Sequence, residues 1–324
     1  MKKAGFSIVL FCILVCLHAQ QTELVQLKDV QIKFAASKEA QQHLKTEDLF
    51  LLNQSPFDRS ARLKTSKNVN TADYVKFIVK QTMNWNDAEK NKINETMQRI
   101  VASVSQYKLL FPKEIILIKT TGKEEGNAAY CRSSNMIVFP SEYAALPRDR
   151  LYRILFHELF HIFSRNNPGI QEKLYEILSF KKCKELKLPD DLFAKKITNP
   201  DAVIYNYSFR SIIGGKNYEL IPVLLATSGY DTKKGGEFFD YLELYFIAVR
   251  EEGNNVVPLT ENNRYVMFTI DQVPNYLELV GKNTNYIIHP EEIMADNFVL
   301  LMNNARNLPN MDILEKMRRV LTQL

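Results

Sequence analysis

The chain has 324 residues, 46% hydrophobic and 24% charged, with 11 glycines, 12 prolines and 4 cysteines. That composition excludes a disordered chain, a collagen-like repeat and a disulfide-dense miniature scaffold, and the length suffices for a sizeable core. Lys and Arg outnumber Asp and Glu by 42 to 37 without long basic runs, so the net charge of +5 gives nucleic acid no footing.

Residues 1–19 read as a cleavable signal peptide: Lys2 and Lys3, an apolar run from Ala4 to Leu17, and the small Ala19 before polar Gln20, Gln21 and Thr22. The apolar run falls short of the roughly 20 residues that cross a bilayer, so removal is expected rather than anchoring. A secreted or periplasmic protein follows, with no membrane span once the leader is gone. Cys12 and Cys16 leave with the leader. Cys131 and Cys183 remain, and their spacing leaves one bridge or two free thiols equally open.

Residues 20–110 form a mixed, helical region. The apolar spacing predicts helices over 71–80 and 86–107, the second with Ile93, Met97, Ile100, Val101 and Val104 on one face and Asn86 as its cap. Residues 111–324 read as a second domain. Its first part alternates β-type runs (115–120, 128–131 and 136–139) with turn signals at Gly122, Gly126 and Ser133-Ser134, which predicts an antiparallel or mixed sheet. Pro147 then opens a strongly apolar helix through Leu151 to Phe163.

A short helix is expected over 170–180. Residues 203–270 are rich in Tyr, Val and Ile, and the run from Phe238 to Val249 reads equally as strand or buried helix. Helices follow over 274–280 and 290–305, and Asp312 to Glu315 reads as the capping box of a last one. The fold class is α+β.

The apolar helix carries His157-Glu158-Leu159-Phe160-His161. At about 100° per residue, positions i and i+4 share one helix face, so both imidazoles can hold one Zn²⁺ ion. Glu158 sits on the adjoining edge, where a general base for a zinc-activated water belongs. A charged residue inside an apolar helix is otherwise costly.

A catalytic zinc site needs a third protein ligand. Asn167 and Ser164 occupy the positions where a metzincin pattern needs His and Gly, which excludes that branch. The stretch from Ile288 to Phe298 is the better source. Pro290 starts a helix, Glu291 and Glu292 occupy its first turn, and Asp296 lies one turn beyond Glu292. Glu292 is then the candidate ligand and Asp296 the carboxylate that orients a ligand histidine. His289 and Glu176 are alternative ligands, and the carboxylates have a plainer reading as compensation for a helix N-terminus.

With Glu292-x-x-Ala295-Asp296 following His157-Glu-x-x-His161, the chain resembles the gluzincin branch of the zincin metallopeptidases, which includes thermolysin-like and CAAX-prenyl-type endopeptidases. The resemblance implies zinc on His157, His161 and Glu292, Glu158 as base, Asp296 behind a ligand, and a zincin-like fold. It also implies an upper lobe whose edge strand binds extended peptide, matched here by 136–140 or 128–131. A transition-state stabiliser has no motif of its own; His289, Tyr286 and Tyr130 are the candidates. The expected function is an exported zinc metallopeptidase acting on a peptide or protein substrate. The alternative is an exported binding or structural protein that keeps the fold without turnover.

Overall fold

A computed structural model describes residues 23–323, so the leader lies outside the described residues. The architecture is mixed α+β. A first sheet is built around Glu114–Thr120, whose parallel neighbours are Gln31–Phe34 and Met136–Pro140. Tyr130–Arg132 pairs antiparallel with Met136–Pro140 and forms one edge, and Thr82–Met83 adds two pairs to Glu114–Thr120. Of the two expected arrangements, antiparallel or mixed, the sheet takes the mixed one. Only Tyr130–Arg132 and Met136–Pro140 are joined by a tight turn, with Ser133 at positive φ, whereas Glu114–Thr120 reaches its neighbour across a longer crossover.

Because Gln31–Phe34 pairs with Glu114–Thr120, the sheet crosses the sequence boundary at 110. The main core does likewise, running from Leu27 through Ile93, Ile115, Leu117 and Phe160 to Leu321.

The helix Asp87–Val104 is capped by Asn86, as its sequence predicts; the Asn86 side chain accepts the Glu89 N–H and the Glu89 carboxylate accepts the Asn86 N–H. It packs near the helix Arg148–Asn166, which carries the His157 motif and is called the motif helix below. The motif helix buries Leu155, Phe156, Leu159, Phe160, Ile162 and Phe163. Phe156 and Phe160 meet Phe298 of the helix Pro290–Met302, with ring centroids 5.9 and 5.4 Å away. Such aromatic contacts fix the crossing of the two helices. Pro290 occupies the first turn of this second helix, where its missing N–H costs nothing.

Residues 203–270 form strands, which settles the ambiguous run. Phe238–Tyr241 is a single 3₁₀ turn and Leu242–Glu252 is a strand. It joins Tyr207–Ile213, Lys216–Ala226 and Asn255–Pro258 in an antiparallel second sheet. Its stretch Leu244–Val249 reads as continuously apolar because both faces are covered near the centre. Phe209 and Phe246 face the main core through Tyr276, while Ile221, Val223 and Ile247 pack on Leu186 and Leu192.

The last helix begins at Met311, and Asp312 lies inside it, bonded to Lys316 at 2.9 Å. The expected capping box is therefore corrected: Asn310 precedes the helix without a side-chain cap. No helix among the described residues is long and apolar enough to cross a membrane.

Candidate metal centre

The motif helix sets His157 and His161 one turn apart, ring centroids 4.7 Å from each other. The helix Pro290–Met302 brings Glu292 against both. Its Oε2 lies 3.1 Å from His157 Nε2 and 3.6 Å from His161 Nε2. One donor atom from each of the three residues falls within 4.8 Å of the other two.

Each of these side chains is held from behind. His157 Nδ1 donates to Asp296 Oδ1 at 3.0 Å, and Asp296 accepts in turn from the Thr284 hydroxyl. His161 Nδ1 donates to Glu291 Oε1 at 2.8 Å. The other oxygen of Glu291 receives Ser164 Oγ at 2.7 Å, Gln171 Nε2 at 3.3 Å and the Tyr175 hydroxyl. With both Nδ1 atoms committed to carboxylates, the two Nε2 atoms turn toward Glu292. Glu292 Oε1 accepts from Asn199 Nδ2 at 2.6 Å, which leaves Oε2 for the shared space.

The donor set suits a zinc ion by an independent sign. His161 is buried, and its Nε2 has no hydrogen-bond partner among the described residues. A buried nitrogen left without a partner is costly unless something else binds it. Two imidazole nitrogens and a carboxylate oxygen are the ligands of a catalytic zinc site with one open position.

Electrostatics point the same way. Burial pulls the His157 imidazolium down, but its hydrogen bonds with Asp296 and Glu292 outweigh this and raise it to about 10. Burial opposes the Glu292 carboxylate, yet the neighbouring His161 and His157 hold it well below the ordinary range. The pocket is thus built to concentrate positive charge between the imidazoles and Glu292. A dication would replace the protons.

Glu158 projects beside His157 into a cavity of about 440 Å³, lined also by Tyr143, Arg153, Asp201, Tyr286 and Glu292. Burial pushes its carboxyl up to about 7, the range of a general base. Ala128 and Ala129, which lead into the edge strand Tyr130–Arg132, line the same cavity. Met136–Pro140 is an interior strand, so of the two runs only that around 128–131 offers an edge.

Of the remaining candidates, Tyr286 lines the cavity with Glu158 and Glu292. His289 caps the helix Pro290–Met302: its Nδ1 accepts the Glu291 N–H at 3.1 Å, and burial pushes its imidazolium down to about 4. It lines a separate cavity with Arg132 and Tyr207. Tyr130 is fully buried, in the smaller core with Tyr74 and Ile118. Among the described residues the two cysteines are free thiols, Cys131 buried and Cys183 partly so.

Sequence reasoning missed Asn199 and Asp201, which reach the site from a loop that only tertiary structure brings there. Asn199 Oδ1 accepts the Asp201 N–H at 2.9 Å, a local turn that shapes the loop. It also missed the task of Glu291. Two successive glutamates on a buried helix, each 2% exposed, were the available signal, since each requires its own partner.

Comparison with protein-family models, with curated proteins and with solved structures finds no match.

Proposed function

We propose that this chain is an exported zinc-dependent metallohydrolase, a peptidase of the gluzincin kind, with His157, His161 and Glu292 as metal ligands and Glu158 as general base. The observation that carries this reading is the meeting of the His157 and His161 Nε2 atoms with one Glu292 carboxylate oxygen, the His161 Nε2 being without a hydrogen-bond partner among the described residues, with Glu158 beside them in an open cavity. The motif helix, a mixed sheet and an edge strand whose Cys131 touches Glu158 support a zincin-like architecture.

Bound zinc would supply Lewis acidity and lower the pKa of a water molecule. Glu158 takes the proton of the attacking water and passes it to the leaving amine. It holds that proton because burial has raised its carboxyl toward neutrality. Asp296 and Glu291 keep the imidazoles in the ligating tautomer. Tyr286 supplies a hydroxyl on the wall of the cavity, where it can donate to the oxyanion that develops on the substrate carbonyl. Ala128 and Ala129 leave room for an extended peptide along the edge strand.

Glu158→Gln tests the assignment. The variant should keep zinc on His157, His161 and Glu292 and lose peptide hydrolysis by at least about a hundredfold in a chelator-sensitive digestion assay. Turnover retained in that variant would overturn the role of Glu158.

A further inference from the structure

A second group of donors converges beside the histidine pair. Cys131, fully buried in the edge strand, places its Sγ 3.4 Å from Glu158 Oε2. Asp201 accepts the Cys131 amide N–H on Oδ1 at 2.9 Å. One donor atom of each of Cys131, Glu158 and Asp201 lies within 4.8 Å of the other two. Glu158 is 4% exposed, and the weakly donating thiol is the one hydrogen-bond partner its carboxylate has among the described residues. Glu158 and Asp201 both line the cavity of about 440 Å³, so this nearly unpartnered carboxylate faces a space that an ion can enter.

The cations nearby do not meet the need of these acids. Arg165 Nη2 stands 3.9 Å from Asp201 Oδ1, but both N–H groups of that nitrogen are directed at the carbonyls of Pro200 and Asp201. His157 and His161 are committed to Glu291, Glu292 and Asp296. Buried acids of this kind persist when something else compensates them, and a thiol among carboxylates is a donor set selective for soft divalent ions over Mg²⁺ or Ca²⁺.

We propose that Cys131, Glu158 and Asp201 form a second cation site, for Zn²⁺ or Cd²⁺, that inhibits the enzyme when it is filled. Its existence stands on geometry; its inhibitory effect rests on the reading of Glu158 as base. Binding makes one metal–sulfur and two metal–oxygen bonds, releases the Cys131 thiol proton to solvent and transfers no electrons. A Glu158 carboxylate engaged by a cation cannot accept a proton from water. Occupancy therefore stops turnover while the His157–His161–Glu292 site keeps its own ion.

Cd²⁺ titration of the metal-free chain tests this, in a background where Cys12, Cys16 and Cys183 are serine, read by elemental analysis and by thiolate-to-metal charge-transfer absorption. Two equivalents are expected, with the absorption present, and excess Zn²⁺ should slow hydrolysis at least about tenfold. Cys131→Ser and, separately, Asp201→Asn should each bind one equivalent and escape inhibition relative to their own uninhibited rates; Cys131→Ser should also lack the absorption. One equivalent without the absorption in the Cys131 chain would overturn the second site and leave the proposed function standing. One equivalent with the absorption would support the thiol site while removing the histidine site, and no binding would remove both.

Discussion

Glu291 shows how much of the candidate centre depends on single side chains that need not touch the ion. Its carboxylate collects His161, Ser164, Gln171 and Tyr175, so four polar groups are satisfied by one residue. Asp296 does the same for His157 and Thr284. Asp296→Asn should therefore lower zinc affinity by about ten- to a hundredfold while the fold persists, measured by competition against a chromophoric chelator. Affinity equal to the parent's would mean that Asp296 does not orient His157. The histidine pair was legible in sequence because helical periodicity alone places i and i+4 together. Glu292 was legible because a proline and two glutamates announce a helix start. Asn199 and Asp201 were not, since no periodicity connects a loop residue to a helix face, and only the folded chain brings them to Glu292 and Cys131.

At the scale of elements, the loop that delivers Asn199 and Asp201 is tied down by a buried ionic cluster. Arg62, in the helix Pro56–Arg62, donates to Glu125 at 2.6 and 2.8 Å and pairs with Asp58. Asp58 accepts the Thr198 amide and hydroxyl at 2.8 Å each, and Arg62 also donates to the Thr198 carbonyl at 3.0 Å. Removing one member strands the others in a dry interior. Arg62→Ala should cost about 3–5 kcal/mol in urea unfolding, and because Thr198 immediately precedes Asn199 it should weaken zinc binding too. A loss of stability below about 1 kcal/mol would show that the cluster is not the anchor.

Glu124, in the 3₁₀ turn Lys123–Glu125, makes a different demand. Both of its carboxylate oxygens are buried without a hydrogen-bond partner among the described residues, and burial outweighs the neighbouring Thr120 and Tyr130 side chains and pushes it up to about 7. A carboxyl raised in the folded state binds more protons folded than unfolded. Stability is therefore greatest below its unfolded value and falls as pH rises toward 7, after which the slope ends. Glu124→Gln should be close to neutral at pH 4 and stabilising at pH 8, by on the order of 2–3 kcal/mol. An equal effect at both pH values would contradict this assignment. The strands of residues 207–258 were ambiguous in sequence for a related reason, burial. A strand covered on both faces loses the alternation that distinguishes it from a buried helix, and Leu242–Glu252 is covered near its centre by Phe209 on one side and the cluster around Leu186 on the other.

Over the whole molecule, one core joins the helix Asp87–Val104, the first sheet, the motif helix and the last helix, so the two helices that carry His157, His161 and Glu292 are braced from several sides. The helix class, the α+β character and the order of the motifs followed from periodicity and composition. The parallel pairing of Gln31–Phe34 with Glu114–Thr120 did not, because a partner some eighty residues away leaves no local trace. A centre assembled in the folded state and not in the unfolded one stabilises the fold when filled. Zinc at a hundred times its dissociation constant should add about 2.7 kcal/mol, seen as a chelator-reversible rise in the thermal midpoint.

The most direct measurement is the zinc content and coordination of the purified chain, by elemental analysis with X-ray absorption at the zinc edge. One ion should be bound by two imidazole nitrogens at about 2.0–2.1 Å and a carboxylate oxygen at about 2.0–2.2 Å, and His161→Ala should abolish that signature. A folded chain that stays free of metal in excess zinc, or holds it with the same coordination in His161→Ala, would contradict the metal centre and the hydrolase built on it.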